Sequence, residues 1–455
     1  MIVMKFGGTS VESEEAVARV TSIVKAQAPR RPIVVVSAMG KTTNKLLAAA
    51  TEAAAGRRDQ ALALVDELRA HHLLHGLALA GSSAADLDRY IRTHFDWLDE
   101  LVKGLSVVGE LSPRSMDAIA SVGERLSSLV VSFAFRAAGL DTTHVDARRV
   151  ILTDDRFTQA QPLFEQTYSL LKERVRGIAE SSVVVMGGFI GATEDGHTTT
   201  LGRGGSDFSA AIVAAGVDAE EIQIWTDVDG MLTADPRIMP GGRRVKSISF
   251  AEASEMAYFG AKVLHPATIL PAFEKKIPVL ILNSKRPDAE GTRITAQAMP
   301  CKNPVKSISC KRQITILNIR STRMLMAHGF MRRIFEVFDR YETSVDMVST
   351  SEVSVSLTLD NAENLDRIHD DLRQFSEVTV ENNQAIVCLV GENIRHTPGI
   401  AGRAFQVLSN KNIRMISQGA SLLNLGFVIS DKDVPDAVSA LHKEFFSEVD
   451  PAVFA

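Results

Sequence analysis

Cysteine is scarce in this chain: Cys301, Cys310 and Cys388 are an odd set of three in 455 residues. Their spacing matches no zinc ribbon or finger, so neither a disulfide framework nor a structural zinc site is expected, and free thiols in a reducing cytoplasm are the plain reading. Basic charge is not in excess either. Lys plus Arg number 50 against 55 Asp plus Glu, and no basic tail or block of like charge stands out. Nucleic acid is therefore not an expected partner. No uninterrupted apolar run reaches about 18 residues, the length of a membrane span. The first residues lead straight into glycines without the basic and apolar regions of a secretory signal, so no membrane partner is expected.

Apolar residues, by contrast, make up 45% of the chain. A chain of this length exceeds the size at which one core stops growing, which predicts two or three domains. Residues 1–6, 32–38, 182–186, 221–225 and 277–282 are short apolar runs separated by helix-length segments. Strands apolar on both faces belong to a parallel sheet covered by helices on either side. The expectation is an α/β domain over residues 1–303, an open, mostly parallel sheet sandwiched by helices. Within it, residues from 46 to about 103 are rich in Ala and Leu and predict a helical insertion. His71 and His75 share a helix face there, but no carboxylate or cysteine completes a metal set, and no metal ligand is assigned.

The texture shortens after Pro304. Residues 313–320 alternate as a strand, 329–340 are amphipathic, 353–360 alternate and 363–375 are amphipathic again. The same order returns over 385–390, 399–409, 424–430 and 434–445. Setting Gly329 on Gly399 and Asp360 on Asp431 gives an offset of about seventy residues, natural for a duplicated small α+β domain. Two βαββαβ units are expected, over 304–382 and 383–455.

Two glycine-rich turns carry the chemistry. Lys5-Phe6-Gly7-Gly8-Thr9-Ser10 follows the first strand and precedes a helical pattern. Glycines at such a turn let backbone N–H groups approach phosphate oxygens, and a helix N-terminus and a lysine add positive charge. The second turn, Gly202-Arg203-Gly204-Gly205-Ser206-Asp207, also opens a helix, and Arg203 offers a planar fork for a carboxylate or phosphate. Either turn alone is equally readable as a capped turn; two in one α/β domain are not. Thr226 and Asp227 fall at the carboxyl end of a strand, where ligands of open α/β sheets sit.

These segments, with Ser121–Ser127, Trp225–Gly230 and Phe259–Pro266, resemble in order and spacing the motif set of aspartate kinases within the amino-acid kinase family, and the repeated C-terminal units resemble its paired ACT domains. The resemblance implies a phosphotransferase that moves the γ-phosphoryl group of ATP, accompanied by Mg²⁺, onto the side-chain carboxylate of L-aspartate. It casts Lys5 as a contact of the transferring phosphate with Phe6, Gly7 and Gly8 beside it, and Asp207 as an organiser of Lys5. It assigns Glu124 to the α-ammonium of aspartate and Arg203 to its α-carboxylate, with Ser37, Thr43 and Ser206 as further substrate contacts. Thr226, Asp227, Arg237 and Lys262 become nucleotide-binding positions. Leu232 departs from the tyrosine that many members place near the adenosine.

In the C-terminal half, Met324, Phe330, Ser344, Val345, Asp346 and Thr350 resemble the effector segment of lysine-inhibited, single-function members. Asp346 and Glu352 are carboxylates suited to an effector's ammonium, which fits lysine and leaves threonine open. The resemblance also implies a homodimer or homotetramer built through the ACT-like units. Two other readings stand beside it: a kinase of the same fold acting on glutamate or another acceptor, and a catalytically silent amino-acid sensor.

Overall fold

The computed structural model describes all residues except 261–263, 265, 298 and 322–327, together with the side chains of 266 and 267. They fall into two compact units, Met1–Gly230 with Leu264–Ala296, and Met231–Val263 with Gln297–Ala455.

Branched apolar residues fill the first unit's strands on both faces: Ile2, Val3, Met4, Ile33 to Val36 and Val184 to Met186 are wholly inaccessible to solvent. Side chains pointing both ways into a core require cover on both faces, the condition under which parallel pairing is found. The strands run in the order Thr142–His144, Val183–Gly187, Pro32–Val36, Ile2–Phe6, Glu221–Thr226, Val279–Asn283 and Thr292–Thr295. Neighbours are parallel throughout except at the last pair. The carboxyl ends of the central strands, Phe6, Val36, Gly187 and Thr226, therefore lie at one edge. All five runs expected as strands are strands of this sheet.

The Ala- and Leu-rich segment folds as the helices Thr42–Ala54, Arg58–Leu79 and Ala84–Val108, which pack with Pro113–Ala137 around Leu46, Val65, Ile91, Phe95, Val122 and Val130. Pro113–Ala137 is the one helix among the described residues long and apolar enough to cross a membrane. Its place is inside the unit, and it carries Asp117 and Glu124 buried within the fold.

The second unit is built on an antiparallel sheet in the order Val348–Thr350, Ser354–Leu359, Ser307–Arg320, Glu377–Val390, Asn424–Ser430 and Met415–Gln418. The two central strands are 14 residues long each and pair along their length, with register shifts between Lys311 and Ile316. Residues 315–320 pair with Ser354–Leu359 on one side, and residues 384–390 with Asn424–Ser430 on the other. The two βαββαβ sequences thus share one continuous sheet. Among its helices, Phe330–Arg340 buries Phe330, Ile334, Val337 and Phe338 against Leu317, Val355 and Leu357. The helix Phe250–Tyr258 starts with a capping box between Ser249 and Glu252. The Glu252 carboxylate also takes the Lys306 ammonium at 3.0 Å, both side chains fully buried.

Candidate active site

The first glycine turn is held by backbone bonds that tie three strand ends together. Gly7 N–H donates to Trp225 C=O (3.2 Å), Ser37 N–H to Phe6 C=O (3.1 Å) and Gly40 N–H to Gly8 C=O (3.0 Å). A Cβ on Gly8 would stand 2.9 Å from both the Ala38 and the Gly40 carbonyl oxygens, so only glycine lets the turn approach this closely. In the second turn, Gly202 and Gly204 have φ of 75° and 72°, the left-handed region, and the helix Gly205–Val217 begins directly after them. Asp117 fixes the approach to that turn: its carboxylate accepts from Thr200 N–H (2.9 Å), the Thr200 hydroxyl (2.6 Å) and Thr158 N–H (2.9 Å).

Between the turns lies a cleft of about 450 Å³. Lys5, Gly8, Ser37, Thr43, Glu124, Arg203, Ser206 and Asp207 are among the residues that line it. The Lys5 ammonium is 2.7 Å from the Asp207 carboxylate, each side chain little exposed. Arg203 is exposed and makes no ion pair among the described residues. Glu124 is 3% exposed. One of its oxygens accepts from Ala38 N–H at 3.2 Å, while Oε2 has no hydrogen-bond partner. Burial pushes its carboxyl up to about 8, against the pull of the Ala38 amide, its own amide and the nearby Thr43 hydroxyl, which stays beyond hydrogen-bond reach of Oε2. An acid held neutral by desolvation, with one oxygen free, is prepared to ionise when a cation enters.

Phe6 and Gly7, expected beside the phosphate, do not line the cleft: the Phe6 carbonyl and the Gly7 N–H are taken by the strand-end bonds to Ser37 and Trp225. The Phe6 ring is fully buried and stacks on Trp225 with centroids 5.9 Å apart. Sequence reasoning missed Lys41, Asn44 and Phe189, which also line the cleft. Phe189 has φ of 67°, unusual for a bulky residue and sustained by the bond from its N–H to the Ser209 hydroxyl (2.8 Å). No sequence motif signals that strain. Lys41 lies between Ser37 and Thr43, two positions that the family resemblance assigned to the substrate.

Thr226, Asp227 and Arg237 are not among the residues that line this cleft. Thr226 and Asp227 close the strand Glu221–Thr226, the Thr226 hydroxyl donating to the exposed Asp227 carboxylate at 3.3 Å. Ser284 N–H donates to Thr226 C=O (2.8 Å), which anchors that strand end. Arg237 belongs to the second unit, where its guanidinium is paired with Asp235. Lys262 lies outside the described residues. In the histidine group, His72 is a core residue, its Nδ1 2.8 Å from Leu68 C=O and its basicity lowered by burial to about 4. The His71 and His75 rings are in edge contact, 4.7 Å between centroids.

The effector positions fall in the second unit. Ser344 and Thr350 are exposed, Val345 packs against the core beneath Phe330–Arg340, and the Phe330 ring is inside that core. Met324 lies outside the described residues. Asp346 accepts from the Lys311 ammonium at 2.7 Å and from the Tyr258 hydroxyl at 3.1 Å, and Lys311 also reaches Asp360 at 2.6 Å. The carboxylate assigned to an effector's ammonium thus holds one from the chain itself, a partner that sequence reasoning did not find.

A cleft that holds a fixed cation, two glycine turns and an unsatisfied buried acid is the equipment of a kinase for a small zwitterionic acceptor. Comparison with known proteins narrows the class. Residues 1–283 match the model of the amino acid kinase family, and residues 387–445 an ACT domain model. The chain is 38% identical to chloroplastic aspartokinase 1 of Arabidopsis thaliana over 98% of its own length and 80% of that protein. It is 36% identical to lysine-sensitive aspartokinase 3 of Escherichia coli strain K12, over 98% of this chain and 99% of that one. The crystal structure of E. coli aspartokinase III with aspartate and ADP, an R-state, superposes with a TM-score of 0.86 at 35% identity, covering 98% of this chain and all of that one. The T-state with lysine and aspartate gives 0.84 at 36% identity, covering 98% and 99%. The chain belongs to the amino acid kinase family and, within it, to the aspartokinases, ATP-dependent kinases of aspartate.

Proposed function

We propose that the chain transfers the γ-phosphoryl group of ATP to the β-carboxylate of L-aspartate, giving 4-phospho-L-aspartate and ADP. The observation that carries this reading is the free, buried Oε2 of Glu124 in the same cleft as the unpaired Arg203. The α-ammonium of aspartate goes to Glu124 and its α-carboxylate to Arg203, with Ser37, Thr43 and Ser206 completing the hold. With both backbone charges engaged, the side-chain carboxylate is left to face Lys5. That carboxylate has a solution pKa near about 3.9 and is already ionised, so no general base is required. One of its oxygens bonds to the γ-phosphorus as the bond to the bridging oxygen of ADP breaks. Lys5 and the amide of Gly8 neutralise charge on the moving group, while Gly7, its N–H held by the Trp225 carbonyl, fixes the turn, and Asp207 keeps the Lys5 ammonium in position, as their 2.7 Å contact supports.

Thr226, Asp227, Arg237 and Lys262 are assigned to the nucleotide. Glu124 and Asp207 are the carboxylates lining the cleft, one buried and one engaged by lysine. That donor set suits a Mg²⁺ carried in by the nucleotide phosphates, which neutralises their charge, better than a protein cage.

The division into a catalytic domain over 1–303 and ACT-like domains over 304–382 and 383–455 is retained with this function. Lysine is the effector favoured by the likeness to a lysine-sensitive relative, binding around Met324, Phe330, Ser344, Val345, Asp346 and Thr350. It would compete with Lys311 for Asp346. Pairing through the ACT-like units, as a dimer or tetramer, completes the proposal, and the three free cysteines suit a cytoplasmic setting. The test is hydroxamate trapping of acyl phosphate from aspartate and MgATP, repeated with lysine and with threonine. Product from glutamate and none from aspartate would overturn the substrate; product that lysine leaves unchanged would overturn the effector.

A further inference from the structure

One residue beyond Glu124 on the same helix, Arg125 faces a second cavity, of about 390 Å³, within the first unit. That volume lies in the range of small-molecule sites, about 300–1,000 Å³, and is generous for a bare inorganic ion. Its charge is one-sided. Arg125, Arg136 and Arg149 line it together with His94 and His144, and its one acid is Asp146. Asp146 is already taken: the Arg148 guanidinium holds both its oxygens, at 3.0 and 2.6 Å, and the Arg148 N–H adds a third bond at 3.1 Å.

None of Arg125, Arg136 and Arg149 makes an ion pair among the described residues. Arg125 donates to His94 Nε2 at 3.0 Å. His94 Nδ1 faces the Tyr90 carbonyl at 2.8 Å, so the imidazole is neutral and supplies a lone pair and no charge. Burial, and after it the neighbouring Arg148, lower Arg125 to about 10 against the opposing pull of Asp146. Arg136 is exposed at the rim, its Nε bonded to the Thr142 carbonyl at 3.0 Å and its guanidinium 5.5 Å from the centre of the Phe133 ring. Arg149 is exposed as well. The remaining wall includes Leu129, Phe133 and Ile190. Guanidinium forks match carboxylate and phosphate oxygens, and a cluster of like charges around an apolar floor is relieved by an anion that also has an apolar body.

We propose that this cavity is a second ligand site of the first unit, taking a small organic anion whose phosphate or carboxylate lies on Arg125 and the rim arginines and whose apolar body lies on Leu129, Phe133 and Ile190. The site is separate from the aspartate cleft: the two lining sets share no residue.

The test is calorimetric titration of the full chain, first saturated with ADP, Mg²⁺ and aspartate so that the cleft is filled. Phenyl phosphate, benzoate and inorganic phosphate are the probes. At least one of the two organic anions binds with one-to-one stoichiometry. Arg136→Gln and Arg149→Gln, both at exposed positions outside the catalytic cleft, each weaken it by about fivefold or more, as loss of a charge-assisted hydrogen bond requires, with phosphotransfer to aspartate unchanged. The proposal is overturned if neither organic anion binds, if both variants bind as the parent does, or if inorganic phosphate binds as tightly as phenyl phosphate.

Discussion

Replacing Glu124 by glutamine tests the chemistry of the cleft without emptying it. The carboxyl ordinarily titrates at 4.5 and is raised to about 8 in the fold. Between those values the folded chain binds more protons than the unfolded one, so this group's contribution to stability falls as pH rises and levels off above the folded value. From about pH 6 to about pH 8 the loss is roughly 2 kcal/mol, at about 1.4 kcal/mol per unit of pH. The Glu124→Gln variant has no such titration. Urea denaturation of both proteins across that range, with every other ionisable group common to the two, should show the variant gaining roughly that amount relative to the parent. A second readout comes from binding. At about pH 7 a group titrating near 8 is roughly nine-tenths protonated, so aspartate binding should release close to one proton, measurable by calorimetry in buffers of different ionisation heat. The variant should release none and bind aspartate about a hundredfold more weakly, the loss of a charged hydrogen bond. Stability profiles that run parallel, or proton release that survives the substitution, would refute the view that burial holds this acid neutral until an ammonium arrives.

Lys5→Met should lower kcat/KM for phosphotransfer by about 10²–10³-fold, the usual effect of removing a group aimed at developing charge; a loss under about tenfold in the hydroxamate assay would take Lys5 out of the transfer. Gly8→Ala places a methyl group 2.9 Å from two carbonyl oxygens. It should part the turn from the segment at Gly40, costing about 1–3 kcal/mol in thermal unfolding together with most of the turnover. In the second unit, Lys306→Met leaves Glu252 buried without its cation and should destabilise that unit by about 3–5 kcal/mol, whereas Lys306→Met with Glu252→Gln should recover part of the loss. Equal melting of the single and double variants would show that the buried charge is not what costs.

The sequence by itself determined the elements and the two glycine turns that border the cleft. Strands apolar on both faces have one way to be buried, which is why residues 1–6, 32–38, 182–186, 221–225 and 277–282 were legible as a parallel sheet. Glycine turns at strand ends announce close backbone approach, so Lys5, Gly8, Arg203 and Asp207 were legible too. These are local properties, fixed within a few residues of chain. What only the tertiary structure decided depends on distant partners. The titration of Glu124 follows from what surrounds it, the strain at Phe189 from the Ser209 hydroxyl, and the hold on the second turn from Asp117, more than eighty residues before Thr200. In the C-terminal repeat, periodicity showed two similar units; the pairing of two 14-residue strands made them one sheet, and folding brought Lys311 onto Asp346. Periodicity reports which face of an element is buried, whereas desolvation and charge pairing are set by neighbours that only folding brings together.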